Sequence, residues 1–418
     1  MMVRFVLLLA FLFWLQAPPG CHGRSSSSPD VSYSILIDAG STGSRMYVYK
    51  FKLGSDGKVN NVSDVEELDN SLGKVKPGLS SMLNEPDEIE VYLQKFFDEA
   101  ERIVPKDKQS STPFIVLATA GMRLLPEADQ DVIMTKVKEI LKSRTTPFLY
   151  KDGNVKVISG KEEAIFAWIT VNFIQGVLTS QKKQKVSWGV LDMGGASTQN
   201  AMHRYRGSPH STNLKVGQRN YQLFARSYLD MGVARIHDRF LEFLSAWENK
   251  TVDYEGYIKS PCHHEGYDEV FDVGAESGID IVGEPNSDLC RKLIDDMLFN
   301  KVGSGFDDQP QLKGKLVAFS AFHTVIDRIG AVVCDDKPVT VEQIGCAARK
   351  FCSKPYKVVK AIDEGYGKFT CLWGNYVYEL LRQGYKMPQS KKIFVQKEMK
   401  GYSLSWIMGA VLYKAELL

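Results

Sequence analysis

Two short stretches of this 418-residue chain carry residue types suited to phosphate and metal chemistry. In the first, an apolar run from Ser34 to Ile37 ends in Asp38 and passes into Ala39-Gly40-Ser41-Thr42-Gly43-Ser44. Arg45-Met46-Tyr47-Val48-Tyr49 then alternates like a second strand. Glycines in such a hairpin let the backbone take positive φ and bring its N–H groups close to an anion, while Ser41, Thr42 and Ser44 add hydroxyl donors. Asp38, at the strand tip, is placed to hold a cation beside that anion. The second stretch, SWGVLDMGGASTQ at 187–199, repeats the design: an apolar run, Asp192, then Gly194-Gly195-Ala196-Ser197-Thr198-Gln199. Two cradles of this kind point to two related lobes facing one another across a nucleotide, with Asp38 and Asp192 turned toward one divalent ion. Ca²⁺ and Mg²⁺ both take oxygen ligands and keep water, so these carboxylates can act through a water shell.

Hydrolysis of a terminal phosphate also needs an in-line water, an acceptor for its proton and compensation of charge on the phosphoryl oxygens. Glu163 is the candidate acceptor, because Gly160-Lys161-Glu162-Glu163 opens a helix directly after a short strand. Its neighbour Glu162 is the rival, and either acid also suits a helix start. Ser197 and Gln199 alternate, so their side chains share one side and can orient the water. Arg45 and Arg123 stand near phosphate or brace the hairpins.

The elements that must position these residues alternate strand, turn and helix, which reads as α/β. Phe114–Leu117 is a buried strand running into the small-residue turn Ala118-Thr119-Ala120-Gly121, and Pro126 opens a helix to about Ser143. Apolar residues at 89, 93, 96, 97, 100 and 103 share one helical face. Helices are expected near 229–247, 286–299 and 372–384, strands at 315–320 and 391–396, and an apolar helix from Tyr402 to Leu417. Residues 252–284 and 301–313, rich in glycine and acids, read as loops held by disulfides.

A chain of this length exceeds one ordinary core. The lobes are expected at 31–158 completed by 397–418, and at 159–396. Lys+Arg 52 against Asp+Glu 50 gives a net charge of +2, so composition offers no field for nucleic acid. Arg4, eleven apolar residues from Phe5 to Leu15 and a small-residue stretch to Gly23 read as a secretory signal peptide, 1–23, followed by a polar leader. No later segment is apolar enough to span a bilayer. Six cysteines remain beyond Cys21; the pairing that closes the shortest loops is Cys262–Cys290, Cys334–Cys346 and Cys352–Cys371, one of 15 connectivities. Sequons at Asn61 and Asn249 suit the same route.

Five motifs together resemble the apyrase regions of the nucleoside triphosphate diphosphohydrolase family, in the same order: DAGSTGSR (38–45), ATAGMRLLP (118–126), GKEEAIFAWITVN (160–172), LDMGGASTQ (191–199) and GYSLSWIMG (401–409). The resemblance implies an actin-like, two-lobed fold of RNase-H-like halves and Ca²⁺- or Mg²⁺-dependent removal of terminal phosphates from nucleoside di- and triphosphates. It implies Glu163 as general base, Ser197 and Gln199 as the water-positioning pair, and Asp38 and Asp192 around the metal's water shell. Ser41 to Ser44 and Gly194 to Ala196 match the phosphate loops, Thr119 a cleft residue and Trp406 a tryptophan near the metal. Ala164 replaces the usual glycine after the base, and His323 and Thr370 stand where cell-surface members carry base-stacking aromatics. The expectation is a secreted apyrase acting on tri- and diphosphates. A diphosphatase of the secretory lumen acting on UDP or GDP is the alternative, and a secreted nucleotide binder without turnover stands further off.

Overall fold

The computed structural model describes residues 30–143, 146–179, 186–203, 209–248, 257–273, 276–300, 304–332 and 337–418. The signal segment and the Asn249 sequon lie outside the described residues. Asn61, by contrast, is exposed at a surface turn.

Two sheets share one strand order. In the first, β1 (Asp30–Gly40), β2 (Gly43–Leu53), β3 (Val65–Leu68), β4 (Phe114–Ala118) and β5 (Val155–Val157) line up as β3-β2-β1-β4-β5. The first pairs are antiparallel and the last two parallel. In the second, β6 (Gly189–Met193), β7 (Ser197–His203), β8 (Arg219–Leu229), β9 (Leu316–Ser320) and β10 (Lys392–Val395) repeat it as β8-β7-β6-β9-β10. Ser211–Val216 and Val339–Thr340 extend its edges. This repetition makes the chain an actin-like α/β protein with two RNase-H-like sheets. In each half the glycine hairpin joins the central strand to its antiparallel neighbour, so Asp38 and Asp192 occupy equivalent strand tips.

The Gly160–Ile174 helix is apolar on every side, with Phe166, Trp168, Val171 and Phe173 all buried. A helix of that kind needs cover all round. It has it: the second sheet lies on one side and the Ile407–Lys414 helix on the other, within a cluster that also holds Leu36, Phe51 and Leu117 of the first sheet.

Three expectations need correction. The C-terminal helix covers only Ile407–Lys414, because Lys400 and Gly401 take positive φ, 54° and 81°, and turn Glu398–Met399 back onto Tyr402–Ser403 as a hairpin. Residues 257–283 are not merely loops: Tyr257–Ser260, Asp268–Val273 and Glu276–Gly283 form a three-stranded sheet pinned by Cys262–Cys290. Cys352–Cys371 also forms, but Cys346 carries a free, exposed thiol, so the Cys334–Cys346 bridge is not made; Cys334 itself lies outside the described residues.

Candidate active site

The two hairpins meet face to face across a cleft of about 640 Å³. Glycine makes the approach possible. A Cβ on Gly195 would stand 3.0 Å from the Ser41 hydroxyl, and one on Gly121 would stand 2.4 Å from the Ser41 Cα. Any side chain at 121 would therefore force the first hairpin outward. The cleft is lined by Asp38, Ser41, Thr42, Gly43, Arg45, Thr119, Glu163, Asp192, Gly194, Gly195, Ala196, Ser197 and Trp406. Ser44 and Gln199 are fully buried just behind it. Lys74, on the short strand beside β2, reaches over the first hairpin and donates to the Thr42 hydroxyl.

The acidic pair at the helix start divides its work through local geometry. Ser159 caps the Gly160–Ile174 helix by accepting from the Glu162 N–H at 3.2 Å, and the Glu162 carboxylate accepts from the Ser159 N–H at 2.9 Å. This reciprocal capping box, with Lys156 at 2.6 Å, commits Glu162 to the helix end. Glu163, one residue on, turns into the cleft and is buried.

Around Glu163 four side chains converge. The Arg123 guanidinium donates to Glu163 Oε2 at 2.9 Å and to Ser197 Oγ at 3.1 Å, and a further bond to the Ile158 carbonyl at 2.9 Å fixes it. Gln199 Nε2 donates to Ser197 Oγ at 2.6 Å, to Ser227 Oγ at 3.0 Å and to Glu163 Oε2 at 3.3 Å. Burial pushes the Glu163 carboxyl up from its usual range, and the Arg123 charge works against that rise.

Asp38 and Asp192 are likewise pushed up, each to about 7. Burial is the main cause and the Glu163 carboxylate the next; Arg45 and Lys74 partly offset it at Asp38. Asp38 Oδ1 is buried with no hydrogen-bond partner. Three crowded carboxylates and an orphaned oxygen suit a divalent cation. Among the described residues no three His, Cys, Asp or Glu side chains converge to ligate an ion directly. A hard cation that keeps its water shell fits this arrangement better than a caged one.

The far end of the cleft was less legible. His323 does line it, but Thr370 is buried, its hydroxyl spent on the Tyr366 carbonyl at 3.0 Å. Tyr366 and Trp373 supply the aromatic wall instead. Arg328 lies over the Tyr366 ring at 4.8 Å and pairs with Asp363 at 3.1 Å. An aromatic flanked by glycines at 365 and 367 was the available signal.

Paired RNase-H-like sheets with opposed glycine hairpins, tip carboxylates and a buried acid between them define an actin-like phosphohydrolase. Residues 25–418 match the model of the GDA1/CD39 (nucleoside phosphatase) family, and the chain belongs to that family as a nucleoside phosphatase. It is 28% identical to rat ectonucleoside triphosphate diphosphohydrolase 1 over 92% of this chain and 81% of the relative. It is also 28% identical to human nucleoside diphosphate phosphatase ENTPD5, over 92% of this chain and 88% of the relative. Among solved structures, a nucleoside triphosphate hydrolase from Neospora caninum superposes with a TM-score of 0.72 at 17% identity, covering 93% of both chains. A Ppx/GppA family member from Aquifex aeolicus gives 0.51 at 13% identity, covering 92% of this chain and 98% of that one.

Proposed function

We propose that this nucleoside phosphatase is a secreted, divalent-metal-dependent apyrase that removes terminal phosphates from nucleoside tri- and diphosphates, taking ATP through ADP to AMP. The observation that carries the reading is the meeting of Glu163, Ser197 and Gln199 on one hydrogen-bond network between the two hairpins. A protein that only sequesters nucleotide needs no buried acid there.

In the proposed reaction the hairpin N–H groups and the hydroxyls of Ser41, Thr42 and Thr119 hold the phosphate chain, with Gly194, Gly195 and Ala196 on the opposite side; Ser44, expected among them, is buried behind the hairpin and does not face the phosphate. Ser197 and Gln199 orient one water in line with the terminal phosphorus. Glu163 accepts its proton as the new P–O bond forms and the bond from the terminal phosphorus to the bridging oxygen breaks, so that inorganic phosphate and the shortened nucleotide are released. A raised carboxyl is better matched to proton acceptance at neutral pH than an ordinary glutamate. Arg123 favours the ionised form of that carboxyl against burial and aims it. Asp38 and Asp192, with Trp406 nearby, would hold the water shell of Ca²⁺ or Mg²⁺, which supplies charge neutralisation for the phosphates when bound. Arg45 lies opposite Asp38 in the β1–β2 register and adds positive charge at that edge. The lobe limits 31–158 with 397–418, and 159–396, belong to the same proposal.

Secretion is supported by two disulfides, by the exposed Asn61 sequon and by the N-terminal apolar segment. Among the described residues no helix is long and apolar enough to cross a membrane. A second reading, hydrolysis of UDP or GDP in the secretory lumen, is favoured by the relative named as a diphosphate phosphatase and by the polar His323 and Arg328 at the far end of the cleft.

The deciding experiment is phosphate release from ATP, ADP, UDP and GDP with Ca²⁺, Mg²⁺ or EDTA, beside Glu163→Ala. Metal-dependent release from ATP and ADP, lost on the order of 10³-fold or more in the variant while nucleotide still binds, is the expected result. Release confined to UDP and GDP selects the second reading. Binding without release from any nucleotide overturns the catalytic one.

A further inference from the structure

Ser320 is a cleft residue that the reaction above leaves without a role. It ends β9 and starts the Ala321–Arg328 helix with φ 56° and ψ −129°, a conformation a residue with a Cβ rarely adopts. Backbone of this kind persists only where its surroundings over-determine it, and it clusters at functional sites. The usual reason for a serine at a helix start does not apply, because the Ser320 side chain makes no capping bond to that helix. It stands instead beside Asp192 in the cleft, where the Ser320 hydroxyl and the Met193 N–H both favour the charged form of the Asp192 carboxyl.

The sheet explains the meeting. β6 and β9 run parallel with Phe319 opposite Asp192 and Ser320 opposite Met193, so Ser320 stands one residue beyond the acid at the same sheet edge. Ser320 lines the cleft. The two tip acids therefore differ: Asp192 has a hydroxyl beside it on its own sheet, while Asp38 leaves Oδ1 without a partner. With β6 and β9 locked side by side, the left-handed turn at 320 holds the hydroxyl in reach of the carboxylate.

We propose that Ser320 is a positioning residue for the divalent ion: its hydroxyl fixes one side of the Asp192 carboxylate so that the rest faces the ion's water shell. The proposal rests on the reading of Asp192 as a carboxylate of that shell. Outer partners of this type orient metal-binding carboxylates, and removing them characteristically lowers metal affinity 10- to 100-fold.

The test is calorimetric titration of the purified full-length protein with Ca²⁺ alone, comparing the parent with Ser320→Ala, Ser320→Gly and Asp192→Asn. Both Ser320 variants are expected to bind Ca²⁺ about 10-fold more weakly or worse. The Ca²⁺ concentration for half-maximal hydrolysis should rise in parallel, with the loss falling there more than on kcat. Glycine adopts the observed backbone freely, so Ser320→Gly is expected to keep or raise the melting temperature while still losing Ca²⁺ affinity. A merely conformational role for Ser320 would not produce that split. Parent-like Ca²⁺ affinity in both Ser320 variants, with affinity lost in Asp192→Asn, overturns the positioning role alone. Parent-like affinity in Asp192→Asn overturns the reading of Asp192, and the proposal with it.

Discussion

Arg123 joins the acid, the hydroxyl and the neighbouring strand at one point, which makes it the residue whose removal is most informative after Glu163 itself. Its charge is the main influence holding the Glu163 carboxyl down against burial. Removing it should let that carboxyl rise further, so a higher pH is then needed to ionise the base. Arg123→Ala is therefore expected to lower kcat about 10²-fold, the usual scale for disturbing a general base, and to move the acid limb of the rate profile to higher pH. A pH profile of kcat/KM measures both. An unchanged limb would detach Arg123 from Glu163. Much of this site was readable from residue types, because Asp-x-Gly at a strand tip and a double acid at a helix start each have few structural uses. What separated Glu163 from Glu162 was the capping box, which depends on Ser159 and shows only once the helix end is built. Ser320 and Trp373 reach the cleft through long-range strand and helix placement that no local pattern announces.

At the scale of elements, the site depends on two helices lying unusually close. Gly409, in the Ile407–Lys414 helix, donates its N–H to the Thr170 hydroxyl at 2.8 Å, and a Cβ there would fall 2.0 Å from the Phe166 carbonyl oxygen. Backbone cannot yield as a side-chain tip would, so the helices must separate. Gly409→Ala is expected to destabilise the protein by about 1–3 kcal/mol, the range for overpacking a core. It should also lower kcat, because the Gly160–Ile174 helix carries Glu163 at its first turn. Thermal melts and turnover on the same preparation check both; a parent-like melting temperature would mean the helices adjust freely. The motif GYSLSWIMG marked this segment in the sequence but not its shape. Its apolar run predicted one helix from Tyr402 to Leu417, and the positive-φ turn at Lys400 and Gly401 gave part of that length to a hairpin. The 257–283 sheet was missed for a related reason: its strands are short, acid-rich and interrupted by glycine, so they carry little alternation.

Across the whole molecule, among the described residues, the helices bury one acid outside the cleft in each half, Glu99 in the first and Glu379 in the second. Glu379 is buried at the end of the Gly367–Glu379 helix, the same helix whose N-terminal part brings Tyr366 and Trp373 to the cleft. Burial and the neighbouring Asp295 carboxylate push Glu379 up to about 7, against the pull of Arg382 at 2.7 Å. The unfolded chain releases that proton near the ordinary glutamate value of about 4.3. A pKa raised by folding means the folded state holds the proton more tightly. Its stabilising contribution is then complete below about 4.3 and is lost as pH rises through about 7. Glu379→Gln mimics the protonated side chain at every pH. Its melting temperature relative to the parent should therefore increase from pH 5 to about pH 7 and level off above that. Melts of the two proteins across that range provide the measurement, and a difference that stays flat or falls would show that Glu379 ionises in the folded protein as readily as in the unfolded chain. Because the helix joins this acid to the aromatic wall, the same pH range should also loosen nucleotide binding in the parent more than in the variant.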